Sequence, residues 1–214
     1  MLAESFMRDD LSHNYDEWIN RGLRKIQQDE DWTPMRVRPV LTIGMGESSV
    51  PLPDNFKSLT SEQNPVTVRR PGETESFPCE ITSFERTKRL RATTFFPPLT
   101  TTQYAARSGV PVYLEPAGEL MLLCVTAPAA ETLEFLVSMY AFVPDLVNDL
   151  DENFLTRRYP TLVENAIKAI AFSRINELDT AAAFESAYRN PLLKEAKIDD
   201  FRRQRQGRPM RMGG

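Results

Sequence analysis

His13 is the only histidine in this chain of 214 residues. Ser–His and Cys–His nucleophilic sites need an imidazole base, so any such site would have to be built on it. It stands in a polar segment with no nucleophile signature beside it. Zinc sites made of several histidines are therefore excluded, and two cysteines are too few for a structural zinc cage. Cys79 and Cys124 are far apart and belong to no C-x-x-C pair. That spacing predicts a reduced, cytoplasmic chain, with a lone disulfide as the alternative.

Two other groupings could carry chemistry. Asp145, Asp149, Asp151 and Glu152 fall close together, and paired carboxylates can hold a divalent cation or do acid–base work. Their spacing fits no EF-hand or two-metal pattern, and Asp149 or Asp151 as a helix N-cap is the plainer reading. Gly44-Met45-Gly46 suggests a phosphate loop but lacks a third glycine, a following Lys-Ser/Thr pair and a helix start, so it reads as a hairpin turn. No catalytic residue, metal site or cofactor is expected.

The strongest signal is electrostatic. Residues 202–214 contain five arginines and no acid; without those five, 21 basic residues face 30 acidic ones, a body of net charge −9 beneath a tail of +5. Phe201, Arg202, Arg203, Arg205, Arg208 and Arg211 could bind phosphates in a salt-dependent way, dock into an acidic protein groove, or simply form a solvated terminus. The acidic body argues against a dedicated nucleic-acid binder, which usually carries its basic face on the folded domain.

The elements that must position these groups fall into three zones. The chain has an ordinary hydrophobic fraction of 41%. Its longest apolar stretches, Leu120–Val125 and Ala166–Phe172, are far short of the roughly 20 residues that span a bilayer. Acids and Arg8 break up Met1–Asn20, so no signal peptide is expected there. Tyr15, Trp18, Ile19, Gly22, Leu23 and Ile26 mark one helix face, capped by Asn14 with Glu17 and stopped by Pro34. From about Thr33 to Asp145 the pattern is β, with strands at Met35–Ile43, Val50–Leu52, Phe56–Thr60, Val66–Val68, Phe77–Phe84, Val110–Leu114, Leu120–Val125 and Thr132–Phe142. Thr82–Phe95 carries five charges and reads as a short exposed helix. Helical spacing returns at Tyr159–Ile175. Asp179 is expected to cap Thr180–Asn190, and Pro191, with Asn190 as cap, to open a last helix. Trp18 sits on the apolar face of its helix, whereas Trp32 suits either a core or an interface anchor.

The fold class expected is α+β: a helical bundle from both chain ends (1–32 and 146–200), an inserted antiparallel β-sandwich or barrel (33–145), and a flexible basic C-terminal arm (201–214).

The order of these segments resembles the bacteriophage head-to-tail adaptor proteins (head completion, connector) of podovirus-like necks. The resemblance rests on the opening helix followed by Trp32-Thr33-Pro34-Met35, and on Val50-Pro51-Leu52-Pro53-Asp54-Asn55-Phe56, similar to that family's "LP-D-F" turn. It continues through Gly109-Val110-Pro111-Val112-Tyr113 and Gly118-Glu119-Leu120-Met121-Leu122, with Ala127-Pro128 standing where a proline pair would be. Phe154–Val163 is similar to its "hYPdLLL" helix opening, followed by an alanine-rich helix and the Phe184–Tyr188 helix. These are turn and packing signatures, so their order carries the specificity.

The resemblance implies a non-enzymatic virion protein. Copies of it would form a twelvefold ring under the portal, extend the DNA channel without gripping DNA, and offer a platform to a tail or nozzle protein. It further implies a neck location after assembly in the host cytoplasm, with no membrane contact. A C-terminal extension grips the portal in related connectors, so Phe201–Arg211 is the corresponding docking arm, ordered on binding. Trp32, Glu85, Arg86 and Arg89 are the candidate interface residues. The alternatives are a nucleic-acid-binding protein using the arginine arm and a metal-dependent hydrolase using the Asp145–Glu152 carboxylates.

Overall fold

The structure, a computed structural model, describes residues 15–83, 85, 86, 110–148 and 150–206. It is mixed α and β and divides into two compact units, residues 36–141 and residues 1–35 with 142–214.

The β unit is a seven-stranded, nearly closed, barrel-like sheet with a small three-stranded sheet beside it. Its strands are β1 (Arg36–Val37), β2 (Val40–Ile43), β3 (Ser49–Pro51), β4 (Phe56–Leu59), β5 (Val66–Arg69), β6 (Phe77–Ile81), β7 (Val110–Ala117), β8 (Leu120–Val125), β9 (Leu133–Val137) and β10 (Met139–Ala141). The large sheet runs β2-β9-β5-β6-β7-β8-β3, and the small one β1-β10-β4. Alternation fixes the faces. Val66 and Val68 of β5 and Leu133, Phe135 and Val137 of β9 point inward and are fully buried. Arg69 and Glu134 face each other across the same strand pair and bond at 2.8 Å.

Two features depart from the sequence expectation. First, two segments expected as single strands are each two: Met35–Ile43 is β1 and β2, which belong to different sheets, and Thr132–Phe142 is β9 and β10. At Ser138 the flanking chain changes sides: the Ser138 amide donates to the Pro65 carbonyl at 2.6 Å, while its own carbonyl accepts from the Thr60 amide at 3.0 Å. Strand β10 thereby leaves the large sheet for the small one. Second, the unit is not wholly antiparallel, because β6 and β7 pair in parallel with Cys79 opposite Val110 and Ile81 opposite Val112. A parallel pair needs a crossover rather than a hairpin between its strands. Within the exposed helix expected over Thr82–Phe95, Glu85 and Arg86 are helical, and 84 and 87–95 lie outside the described residues.

The helical unit contains α1 (Tyr15–Asp29), α2 (Phe154–Arg158), α3 (Pro160–Arg174), α4 (Leu178–Ala187) and α5 (Leu193–Gln206). Trp18, Gly22, Leu23 and Ile26 of α1 are buried, as the spacing predicts. They meet α3, whose Leu162, Val163, Ala166, Ile167, Ala169 and Ala171 are also buried. Glycine at 22 lets the two helices approach closely: a β-carbon there would stand 2.6 Å from Cγ1 of Ile167.

Asn153, rather than Asp149 or Asp151, caps the helix that follows, accepting from the Leu155 and Thr156 amides in a capping box with Thr156. Asp149 lies outside the described residues. Between α3 and α4 the chain reverses through Asn176 at φ 62°, a left-handed position that asparagine tolerates. Asp179 lies inside the first turn of α4 and does not cap it; Glu177 holds that place without a side-chain bond.

Pro191 does not open a new helix. Tyr188–Leu192 form a single π turn that carries α4 directly into α5, with the Leu193 amide reaching back to the Tyr188 carbonyl. The wider turn accommodates a proline that has no N–H to give. Tyr188 anchors it: the ring is fully buried and its hydroxyl donates to Asp29 at 2.7 Å.

Candidate functional site

The expected arm is helix for its first part. Phe201, Arg202, Arg203 and Arg205 belong to α5, which corrects the flexible boundary at 201; Arg208 and Arg211 lie outside the described residues. The helix continues because its inner face is fastened. Asp200, buried, accepts from both the amide and the hydroxyl of Thr33, at 2.9 and 2.8 Å. Asp199 accepts from Nε of Arg203 at 2.8 Å and from the Tyr159 hydroxyl at 3.1 Å. The Lys197 ammonium lies 5.7 Å from the centre of the Trp32 ring and pairs with Glu30.

The opposite face is open. Ile198 and Phe201 are each 51% exposed, and Arg202 and Arg205 are exposed beside them. Spacing of i, i+3, i+4 and i+7 puts the four on one stripe. The Arg205 guanidinium stacks 4.6 Å from the centre of the Phe201 ring. Arg203 is tied to Asp199, whereas Arg202 makes no ion pair among the described residues. The stripe is thus two apolar side chains followed by two cations on a helix pinned from behind. It offers apolar area and positive charge, and the sequence reading missed Ile198, whose signal was only its distance of three residues from Phe201.

Electrostatics reinforce the pinning. The hydrogen bond from Arg203 holds the Asp199 carboxyl below the ordinary carboxylate range, against some desolvation and with help from Tyr159. Burial, and then the bond to Asp199, push the Tyr159 hydroxyl up to about 12. Burial works against ionisation of Glu185, yet hydrogen bonds from Arg189 and Lys25 hold its carboxyl below the usual value. A carboxyl lowered by folding contributes stability that is complete above its unfolded pKa, near 4, and drains away as the pH falls through its folded value. The melting temperature of the helical unit is therefore expected to fall as the pH drops below about 4. Thermal melts from pH 7 to 3 check this, and Asp199→Asn should show a shallower acid-side fall.

Trp32 is a core residue, which corrects its candidacy as an interface anchor. It is 0% exposed, its Nε1–H donates to the Ile26 carbonyl at 3.3 Å, and its ring lies against Tyr159 and Phe154 at 5.3 and 6.1 Å between centroids. Glu85 and Arg86 are exposed in the β unit, where Arg86 pairs with Glu80 at 3.6 Å; Arg89 and His13 lie outside the described residues.

The groupings that might have carried other chemistry have different work. Asp145 pairs with Arg24, Glu152 with Arg157, and the Asp151 carboxylate accepts from the Val147 and Asn148 amides. Among the described residues no three potential ligands come together around a metal position. At Gly44-Met45-Gly46 the chain makes a turn with Gly46 at φ 84°, and the Glu47 carboxylate takes the Gly44 amide at 2.8 Å, an acidic group where a phosphate would have to sit. Both cysteines are free and buried, and burial pushes the Cys79 thiol up to about 12, an inert state. No described helix is long and apolar enough to cross a membrane.

A comparison with individually curated proteins found none that matches the chain. Against protein families the outcome is different: the match to the family described as SU10 adaptor protein extends over residues 2–213. That family is one of structural phage head-to-tail adaptors and not a class of enzymes. A pinned helix with an exposed stripe, and carboxylates each held by a separate partner, suit such a role. The chain belongs to the SU10 adaptor protein family, and it is a structural component of a phage virion.

Proposed function

We propose that this adaptor joins the portal at the capsid vertex to the tail as a closed ring of twelve copies that extends the DNA channel, with the open face of α5 and the basic residues after it docking on the portal. The observation that carries the reading is the stripe Ile198, Phe201, Arg202 and Arg205, exposed on a helix whose other face is fixed by Asp200. Aromatic and arginine side chains dominate the energetics of protein interfaces. Two apolar groups followed by two guanidiniums suit an acidic groove with an apolar floor better than a run of phosphates. Glu85, Arg86 and Arg89 are then candidates for contact with neighbouring copies or the tail or nozzle protein below.

The charge distribution supports the channel. Residues 1–201 carry a net charge of −9, and their repetition around a ring would give a negative field that lets genomic DNA pass without adhering. Assembly of the ring from chains in the host cytoplasm, on the portal as template, agrees with the apolar stripe being open in the single chain.

Deleting residues 201–214 leaves the Asp200 anchor in place and is expected to abolish attachment to portal-bearing heads, measured by co-sedimentation. Arg202→Glu with Arg205→Glu should weaken attachment at least about tenfold. Attachment unchanged in both variants would remove α5 as the docking element. Tight, steeply salt-dependent binding of the intact chain to DNA would instead favour a nucleic-acid-binding role.

A further inference from the structure

The loop between β10 and α2 displays two aliphatic side chains that packing among the described residues leaves open. Val147 is 82% exposed and Leu150 is 93% exposed. The loop beneath them is firmly held. The Asn20 side chain donates to the Leu146 carbonyl at 2.9 Å and accepts from the Leu146 amide at 2.8 Å, and the Gln27 side chain accepts from the Val143 amide at 2.6 Å. The Asp151 carboxylate closes the tip on the Val147 and Asn148 amides, at 3.0 and 2.9 Å. Those amide bonds, the Asn148 one foremost, hold the carboxyl below its ordinary range. Exposed aliphatic groups on a fixed, acidic loop are the pattern of a contact surface.

The same unit carries a receptive surface of opposite charge. An open groove of about 770 Å³ lies between α1, α3 and α4, with a floor that includes Ala169, Ile170 and Ala182. Arg21, Arg24, Lys25 and Arg174 line it against one acid, Glu185. Three of these cations have partners in the chain, Arg21 with Glu17, Arg24 with Asp145 and Lys25 with Glu185, in partly or well exposed pairs. Such pairs are worth about 0–1 kcal/mol and re-pair readily. Arg174 has no carboxylate partner among the described residues.

On α1, Asn20 and Gln27 hold the loop while Arg21, Lys25 and Gln28 line the groove. At about 100° per residue the two rows are centred roughly 100° apart, with Arg24, which lines the groove and pairs with Asp145 of the loop, between them. Loop and groove are thus neighbouring but distinct surfaces, and a head-to-tail contact joins two distinct surfaces.

We infer that Val147 and Leu150 of one copy seat in the α1/α3/α4 groove of the next, with the acids of the loop meeting Arg21, Lys25 and Arg174. This rests on the ring reading above and names the surfaces that would close it.

The test uses the buried state of Cys79 and Cys124, which leaves no reactive thiol on the described surface. Leu150→Cys with Ala182→Cys is assembled on portal-bearing heads and oxidised with copper phenanthroline. A ladder of covalent multimers is expected. An equal mixture of the two single variants should stop at dimers, and each single variant alone should stay monomeric. Adding Val147→Asp to the double variant should cut the ladder about tenfold. Monomers alone from the double variant, or dimers from Leu150→Cys alone, would overturn the contact. Rings of the wild-type chain seen on the same heads by electron microscopy would leave the ring reading standing in that event. Wild-type chain that neither attaches nor forms rings would remove the ring reading and this contact together.

Discussion

Trp32→Ala is expected to cost the helical unit about 3–5 kcal/mol, enough to lower its melting temperature by roughly 15 °C. The side chain is fully buried, so the substitution removes a large apolar area from the core and leaves a void between the end of α1, the start of α2 and Tyr159. It also strands the Ile26 carbonyl, which accepts from the indole N–H. A second loss is indirect: the Lys197 ammonium over the ring and the Thr33–Asp200 bonds next door are what keep α5 seated. Trp32→Phe separates these effects. It keeps most of the volume, gives up the indole bond, and should cost about 1–2 kcal/mol. Thermal melts followed by circular dichroism check both variants. A Trp32→Ala chain as stable as the wild type would return this residue to the surface role suggested by its sequence neighbourhood.

The second large effect is expected at Gly22. Gly22→Val should destabilise the unit by about 3 kcal/mol, because overpacking a close helix contact forces side chains off their rotamers and shifts backbone. The space is already taken. An added β-carbon would stand 2.6 Å from Cγ1 of Ile167 and 3.1 Å from its Cα and amide nitrogen, so moving the isoleucine side chain alone does not make room. Gly22→Ala should also destabilise, but less, since alanine recovers about 1 kcal/mol of helix propensity. The pair Gly22→Ala with Ile167→Ala tests the geometry directly. If the clash is with the isoleucine side chain, the double variant should lose less than the sum of the single losses. Additive losses would show that the two helices do not meet there.

What could be read from residues alone follows the range of the interactions involved. Helix α1 is legible because Trp18, Gly22, Leu23 and Ile26 repeat at the helical period and all face one core. Strand β8 is legible as a Leu-rich run closed by Gly118 and the Ala127-Pro128 pair. Ser138 is not legible, because nothing in its local pattern distinguishes a strand that keeps its neighbours from one that exchanges them. The parallel β6–β7 pair depends on the path of the chain after Ile81, which alternation does not encode. Local rules misplace Pro191: after Asn190 it has the form of a helix start, but the buried Tyr188 and its bond to Asp29 hold the helix together across it. The candidate site was half visible. The arginines stand out by composition, but their orientation depends on helix phase. Trp32 was ambiguous until its neighbours Phe154 and Tyr159, distant in sequence, were in place. Val147 and Leu150 looked like ordinary hydrophobic residues in an acidic loop.

The π turn at Tyr188–Leu192 has a consequence for the phase of the helix beyond it. Each residue inserted into or removed from a regular helix rotates everything downstream by about 100° about the axis. The turn contains one residue more than an α-helical turn would need and absorbs it locally. Beyond it Asp200 points at Thr33 while Ile198, Phe201 and Arg202 are exposed. A one-residue deletion inside the turn should therefore leave a regular α-helical turn with this phase kept, whereas the same deletion between Leu193 and Asp200 should swing the stripe inward and the anchor toward solvent.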